Sequence, residues 1–178
     1  MVYSILILLI TGALVAADQV TKWIAAQQLM GGDAVAVWPG VIEFRYCENE
    51  GIAWGMMEGR RWLVVGVTSL MLLFLLGVLL FGVFKKSRLV TLGGCMVLAG
   101  GIGNLIDRVG RGYVVDFIHY FKWFDFPVFN VADCCVTIGA ALILIYVFFF
   151  SAKDEPKEGA PDGTLPLQHD DGADGDTP

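Results

Sequence analysis

The chain has 178 residues, of which 56% are hydrophobic, and its mean hydropathy is +0.66. This length fits one domain, and this composition indicates a membrane protein rather than a soluble one. The formal net charge of −6 lies entirely after Ala152, where eight acidic residues and two lysines occur. The rest of the chain is electrically neutral and has no basic patch, which argues against a nucleic-acid partner.

The first predicted element is a transmembrane helix that begins in an uncharged run over residues 2–17. The alternative is a cleaved signal peptide, because a Val-Ala-Ala sequence precedes Asp18. However, no basic residue precedes the run, as a signal peptide requires, and the helical pattern continues past Asp18. Asp18 and Lys22 lie four residues apart and can pair on one helix face. We therefore expect a retained helix over residues 2–26.

A small β-element is predicted to follow over residues 35–57. Apolar and polar residues alternate after a Pro-Gly turn, which is the pattern of a half-buried strand. An Asn-Glu-Gly turn signal comes next, and residues 52–57 can return as the second strand of a hairpin. Trp38 and Trp54 would then lie at the depth of the lipid headgroups.

Three more apolar runs are long enough to cross a bilayer. They predict three helices, over residues 62–84, 89–107 and 131–150. The segment that contains Asp116 forms a loop between the last two, and the Gly-, Pro- and Asp-rich residues 153–178 have the composition of a disordered tail. The predicted fold is therefore an all-α membrane protein over residues 1–152, with four transmembrane helices and a small extracytoplasmic β-hairpin.

Four spans place both termini on the same side of the membrane. The short turn that carries Lys85, Lys86 and Arg88 is a compact positive-inside signal and, with the two tail lysines, predicts cytoplasmic termini. The opposite side carries seven basic residues against these five, but they are spread through two long segments and several have acids nearby. This topology places the hairpin, Asp116 and Asp133 at the external face.

Carboxylates at the edge of a membrane are costly, so they are candidate functional groups. Asp116 has apolar neighbours that would favour its neutral form. Asp133 is predicted to be the third residue of a helix capped by Asn130, where a negative charge is favoured. Two carboxyls in unequal surroundings suit acid–base chemistry, with one taking a proton from water and the other polarising a carbonyl. The alternative for Asp133 is a purely structural capping box.

The remaining charged residues have structural interpretations. Asp107 and Arg108 are predicted to pair with each other at the end of the third helix, and Asp18 and Lys22 to form a second structural pair. Asp125, between two phenylalanines, is predicted to be a solvated interfacial charge. The cysteines and histidines show no metal-ligand spacing, so we expect neither a metal site nor another cofactor.

Five short motifs occur along this chain. They are DQxTK from Asp18, NxGxAWG from Asn49, GGxGNLxDR from Gly100, VVDF from Val114 and FNxAD from Phe129. In this order, and over about residues 18–139, they resemble the conserved blocks of bacterial lipoprotein signal peptidase (signal peptidase II). The resemblance implies a four-helix aspartyl endopeptidase of the bacterial cytoplasmic (inner) membrane. Such an enzyme cleaves diacylglyceryl-modified prolipoproteins on the N-terminal side of the lipobox cysteine.

The resemblance also assigns roles to residues of this chain. The family's catalytic pair falls on Asp116 and Asp133. Its supporting residues fall on Asp18, Lys22, Asn49, Gly51, Trp54, Asn104, Arg108 and Asn130. Trp54 stands where the family usually has Phe, and Cys134 stands where Ser is common. We further expect prolipoproteins and membrane lipids as partners, a monomeric protein, and inhibition by globomycin.

Two other function classes stay open from the residues alone. A proton-coupled transporter or channel subunit would use the same carboxylates as a relay. The predicted cytoplasmic ends of the helices, however, carry no ionisable group beyond the turn cations and weakly acidic Tyr and Cys side chains. A non-catalytic membrane scaffold would instead tolerate neutralisation of both aspartates.

Overall fold

The computed structural model describes residues 2–51, 59–85, 87–124 and 126–150. In chain order the elements are α1 (Val2–Leu29), β1 (Val35–Trp38), β2 (Ile42–Asn49), α2 (Arg61–Leu80), α3 (Arg88–Gly110), β3 (Val114–Tyr120) and α4 (Val131–Phe149). All four helices are long and apolar enough to cross a membrane. The predicted fold class, four transmembrane helices with a small β-element, is confirmed.

Several predictions concern residues outside the described ones. These are the return strand over residues 52–57 with Trp54, the solvated charge Asp125, and the disordered tail over residues 153–178.

The helices differ from their predicted bounds for local reasons. α1 continues to Leu29, because Ala25 and Leu29 are buried in a cluster with Phe117 of the sheet. α2 ends at Leu80, before the predicted residue 84, and Gly82 just beyond it has a φ of 69°. A glycine with positive φ is a common way to end a helix.

Close packing of α3 and α4 depends on glycine. A Cβ atom on Gly93 would lie 2.7 Å from the carbonyl oxygen of Gly139, and one on Gly139 would lie 2.6 Å from the carbonyl oxygen of Gly93. Small residues of this kind let the backbones of membrane helices approach each other. This approach brings Asn104 of α3 within hydrogen-bond distance of Asp133 of α4.

The three strands form one antiparallel sheet in the order β1-β2-β3. The predicted loop around Asp116 is wrong, because this residue lies on β3 and pairs in register with Cys47 of β2. β3 is buried at Val114 through Phe117 and again at His119. Burial of consecutive residues removes the alternation that identifies a half-buried strand, although its Val, Phe, Ile and Tyr residues have high β-propensity.

Candidate active site

Asp116 lies on β3 and is only 2% exposed. Its Oδ2 accepts a 2.9 Å hydrogen bond from the side-chain amide of Asn49, and its Oδ1 accepts a 2.6 Å bond from that of Asn130. Burial raises the pKa of Asp116 to about 6, and the charge of Asp133 acts in the same direction, while the two amide hydrogen bonds oppose the rise. This direction agrees with the expectation that its surroundings favour the neutral form.

Asp133 lies in the first turn of α4 and belongs to a capping box. Its backbone N–H donates to Oδ1 of Asn130 at 3.0 Å, and its Oδ2 accepts from the backbone N–H of Asn130 at 3.1 Å. The predicted N-cap is therefore confirmed. The other carboxylate oxygen, Oδ1, accepts a 2.8 Å bond from the side-chain amide of Asn104. Asp133 is thus held by donors from two helix segments.

Asn130 connects the two carboxylates directly. Its side chain is completely buried and donates to Asp116, while its backbone N–H donates to Asp133. The arrangement that caps α4 therefore also fixes both carboxylates relative to each other. A capping role and a site role for Asp133 do not exclude one another.

Asn104 is held in one orientation by two donors. Nζ of Lys22 donates to its Oδ1 at 2.7 Å, and the side-chain amide of Asn130 donates to the same oxygen at 3.1 Å. Because the amide oxygen is on that side, the amide nitrogen points to Asp133. Lys22 therefore influences Asp133 through Asn104.

A buried charge cluster lies behind the two carboxylates. Nζ of Lys22 is 3.0 Å from a carboxylate oxygen of Asp18 and 3.0 Å from one of Asp107, and all three side chains are almost fully buried. Asp18 also accepts the backbone N–H of Ala132 at 2.8 Å, and Asp107 accepts that of Val115 at 3.2 Å. The cluster thus ties α1 to the start of α4 and to β3.

The predicted Asp18–Lys22 pair is confirmed, but the predicted Asp107–Arg108 pair is wrong. Asp107 contacts Lys22, and its second carboxylate oxygen lies 3.7 Å from Nε of Arg111. Arg108 donates instead to the carbonyl oxygen of Gly51 at 2.7 Å. Consecutive residues of a helix point about 100° apart, so adjacent charges face different neighbours.

Gly51 completes the polar edge of the site. Its backbone N–H donates to Oδ1 of Asn49 at 3.1 Å, so the amide of Asn49 points its nitrogen to Asp116. Gly51 therefore links Arg108 to Asn49 at the point where the chain leaves β2.

Both carboxylates border a cavity of about 710 Å³ between α2, α3, α4 and β3. Of the predicted site residues, Asn49, Asn104 and Arg108 also line it, whereas Asp18, Lys22, Gly51 and Asn130 do not. Sequence reasoning gave no site role to these further lining residues: Thr68, Gly101, Phe126, Pro127, Phe129 and Thr137. Three of them have a sequence signal: Gly101 and Phe129 belong to the motifs quoted above, and Thr137 lies one helical turn after Asp133. Cys134, noted as a departure from the family pattern, also lines the cavity.

Comparison with known proteins gives one consistent result. The family model described as "Signal peptidase (SPase) II" matches residues 10–149. A lipoprotein signal peptidase of Geobacillus thermodenitrificans (strain NG80-2) is 36% identical over 158 residues, covering 87% of this chain and 97% of that protein. A lipoprotein signal peptidase of Listeria monocytogenes serotype 4a (strain HCC23) is 37% identical over 150 residues, covering 82% of this chain and 94% of that protein.

Two solved structures share the fold. A bacterial membrane enzyme determined by the in meso method at 2.3 Å resolution has a TM-score of 0.77 and 34% identity, covering 86% of this chain and 94% of that one. A second, determined by the same method at 1.9 Å resolution, has a TM-score of 0.73 and 34% identity, covering 82% of this chain and 94% of that one.

Proposed function

The chain belongs to the signal peptidase II family, and we propose that it removes signal peptides from bacterial prolipoproteins as a membrane-embedded peptidase. The relatives at 36–37% identity are lipoprotein signal peptidases, and the four membrane-length helices suit such an enzyme. These relatives give no support to the transporter alternative. The observation that carries the chemical part of the proposal is the bridging of Asp116 and Asp133 by Asn130 at one cavity.

The substrate would be a prolipoprotein whose cysteine carries diacylglycerol, cleaved on the N-terminal side of that cysteine. The cavity lies where α3 and α4 meet the sheet, and much of its wall is apolar. A lipid substituent could therefore stay in the bilayer while the neighbouring peptide bond reaches the carboxylates. Such a placement also keeps the signal peptide, itself apolar, in the membrane.

The peptidase would be of the aspartic class. Asp133 starts as the carboxylate and takes a proton from water, whose oxygen attacks the scissile carbonyl carbon. Asp116 starts protonated, donates a hydrogen bond to the carbonyl oxygen, and stabilises the charge that develops there. The raised pKa of Asp116 supports this division of roles. Because the two groups interact, the assignment describes one protonation state of the pair.

The intermediate then collapses as the peptide C–N bond breaks. The proton that Asp133 took from water goes to the leaving nitrogen, and a new carboxyl group remains on the signal peptide. No covalent enzyme intermediate forms in this sequence, so the side chain of Cys134 is not required as a nucleophile.

The other predicted site residues would act in two groups. Asn49, Gly51 and Arg108 would form a hydrogen-bonded polar edge toward the substrate. The family resemblance gives Trp54 a substrate-binding role as well. Asp18, Lys22, Asn104 and Asn130 position the two carboxylates and the start of α4. This division follows their hydrogen bonds: Arg108 and Asn49 both contact Gly51, whereas Lys22 and Asn130 both donate to Asn104.

We also propose cytoplasmic termini, an external active site, a monomeric enzyme in contact with membrane lipids, and inhibition by globomycin. Residues 1–152 would form the peptidase domain, and truncation after Ala152 would leave activity intact. The basic turn before α3 supports the cytoplasmic termini, and the Gly-, Pro- and Asp-rich composition of residues 153–178 supports the expected effect of truncation.

The direct test uses the purified chain and a prolipoprotein in two forms, with and without diacylglycerol on its cysteine. We expect cleavage of the modified form only, and we expect globomycin to suppress it. Mass spectrometry of the products should place the cut at the peptide bond on the N-terminal side of the cysteine. Cleavage of the prolipoprotein at another bond, or no cleavage at all, would overturn the proposal.

A further inference from the structure

The chain between β3 and α4 exposes an aromatic surface that the proposed mechanism does not use. We call it the aromatic tip; it consists of Lys122, Trp123, Phe124 and Phe126. Trp123 is 79% exposed and Phe124 is 58% exposed. Large apolar side chains grouped on a loop in this way mark an interaction surface.

A continuous series of ring contacts connects this tip to the cavity. The ring of Tyr120 lies 6.1 Å from that of Trp123 and 5.9 Å from that of Phe124, in edge-to-face geometry. Phe124 contacts Phe126 at 5.9 Å, and Phe126 contacts Phe129 at 5.7 Å. Since Phe126 and Phe129 line the cavity, the tip and the cavity wall are parts of one aromatic unit.

Backbone hydrogen bonds hold this unit to the sheet. The N–H of Phe126 donates to the carbonyl oxygen of Tyr120 at 3.0 Å, and Phe129 and Ile118 exchange bonds in an isolated bridge. Phe126 and Phe129 are therefore fixed to β3 by backbone hydrogen bonds.

We propose that the aromatic tip inserts into the headgroup region of the bilayer and anchors the cavity wall there. Trp and Tyr rings favour this depth because they are apolar with a polar atom. The site lies at the ends of membrane-length helices, and α4 begins at Val131, shortly after the tip. The ammonium of Lys122 lies 5.5 Å from the ring centre of Trp123, where it can meet a lipid phosphate.

The aromatic rings, rather than net charge, would supply this attraction. The sequence places one basic residue, Lys122, and one acidic residue, Asp125, in this segment, so its formal charge is zero. Insertion should therefore be the same in zwitterionic vesicles and in vesicles with anionic lipid. Insertion of the aromatic tip does not depend on the proposed function. Its consequence does: a lipidated substrate would pass from the bilayer along Phe126 and Phe129 into the cavity.

The test of insertion needs no activity. The full chain and its Trp123→Phe variant are placed in phosphatidylcholine vesicles, with and without lipid brominated near the top of its acyl chains. The difference in tryptophan fluorescence between the two proteins is the emission of Trp123. We expect brominated lipid to remove roughly half or more of that difference, and aqueous acrylamide to remove little. If acrylamide alone quenches the emission of Trp123, the aromatic tip lies in water. If neither acrylamide nor brominated lipid quenches it, a protein partner or a second copy covers the tip. Either result overturns the proposal.

A second measurement separates the anchor from the peptidase. In vesicles, the double variant Trp123→Ser/Phe124→Ser should raise KM for the diacylglyceryl substrate roughly fivefold with kcat little changed. The matched control is Phe81→Ser, which removes a 90% exposed ring beyond the far end of α2. An unchanged KM in the double variant, with insertion intact in wild type, overturns the substrate path. Absence of cleavage in wild type instead overturns the proposed function and leaves the quenching result standing.

Discussion

Nζ of Lys22, on a side chain with no solvent exposure, donates a 2.7 Å hydrogen bond to Oδ1 of Asn104. The same nitrogen lies 3.0 Å from carboxylate oxygens of Asp18 and Asp107. One lysine thus balances buried negative charge and sets the direction of an amide that holds Asp133. Stability and site geometry depend on the same atom.

Removal of that charge should destabilise the protein strongly. Lys22→Met leaves two buried carboxylates without their common partner, and breaking a buried ion pair in this way costs about 3–5 kcal/mol. Denaturant unfolding in detergent measures the loss. Lys85→Met, which removes an exposed lysine after α2, should change the free energy of unfolding by less than about 0.5 kcal/mol. Equal stabilities for the two variants would contradict a central role for the buried cluster.

Asn130→Ala should reduce activity far more than its effect on stability predicts. Loss of a helix N-cap costs about 1 kcal/mol, but this variant also removes the donor to Asp116. Ser87→Ala is the matched control, because Ser87 caps α3 through a 3.3 Å bond from Val90 and lies outside the cavity. We expect a larger loss of stability in Asn130→Ala, because buried acceptors also lose their donor, and in this variant only, a fall in kcat of about 10²-fold or more. Equal activities would show that Asn130 is a cap alone.

The pH profile should identify Asp116 as the proposed acid. Its pKa of about 6 means that kcat/KM falls as the pH rises through this value, because ionisation removes the acidic proton. Asn49→Ala removes a 2.9 Å bond that favours the ionised form, so the pKa should rise further and the falling limb should move to higher pH. Gln28→Ala, at an exposed amide of α1, should leave the limb in place. A limb that stays fixed or moves to lower pH in Asn49→Ala would refute the assignment.

The contact between α3 and α4 should tolerate no side chain at Gly139. A Cβ there would lie 2.6 Å from the carbonyl oxygen of Gly93, so Gly139→Ala must separate the helices, at a cost of about 1–3 kcal/mol. Gly12→Ala, at a helical position with open space, should be neutral or stabilising by up to about 1 kcal/mol. Thermal unfolding of both variants in the same detergent makes the comparison. If Gly139→Ala is as stable as the wild type, α3 and α4 do not approach each other as closely as described.

The sequence predicted the features that depend on local pattern. Four long apolar runs gave the four helices, and the spacing of Asn130 and Asp133 gave the cap of α4. The four-residue spacing of Asp18 and Lys22 gave their ion pair. Each of these follows from hydropathy or helical geometry within a few residues.

The parts that failed depend on tertiary contacts. The sequence pattern predicts a loop at Asp116, because β3 is buried at consecutive residues and shows no alternation. Sequence proximity predicts a pair of Asp107 with Arg108, whereas the buried partner of Asp107 is Lys22, which comes from another helix. No local pattern could reveal that Phe126 and Phe129 face the same cavity as Asp133. The site residues behind the cavity were indicated by resemblance, and only the fold shows how they connect.

The central claim is that Asp116 and Asp133 together cleave the lipidated substrate. Its most direct test measures kcat for diacylglyceryl-modified prolipoprotein with the variants Asp116→Asn and Asp133→Asn, each confirmed as folded by thermal unfolding. The control is Asp33→Asn, at an exposed residue after α1. We predict that each site variant loses about 10²–10⁴-fold in kcat while the control keeps wild-type activity. Near-normal cleavage by either site variant would contradict the two-carboxylate mechanism.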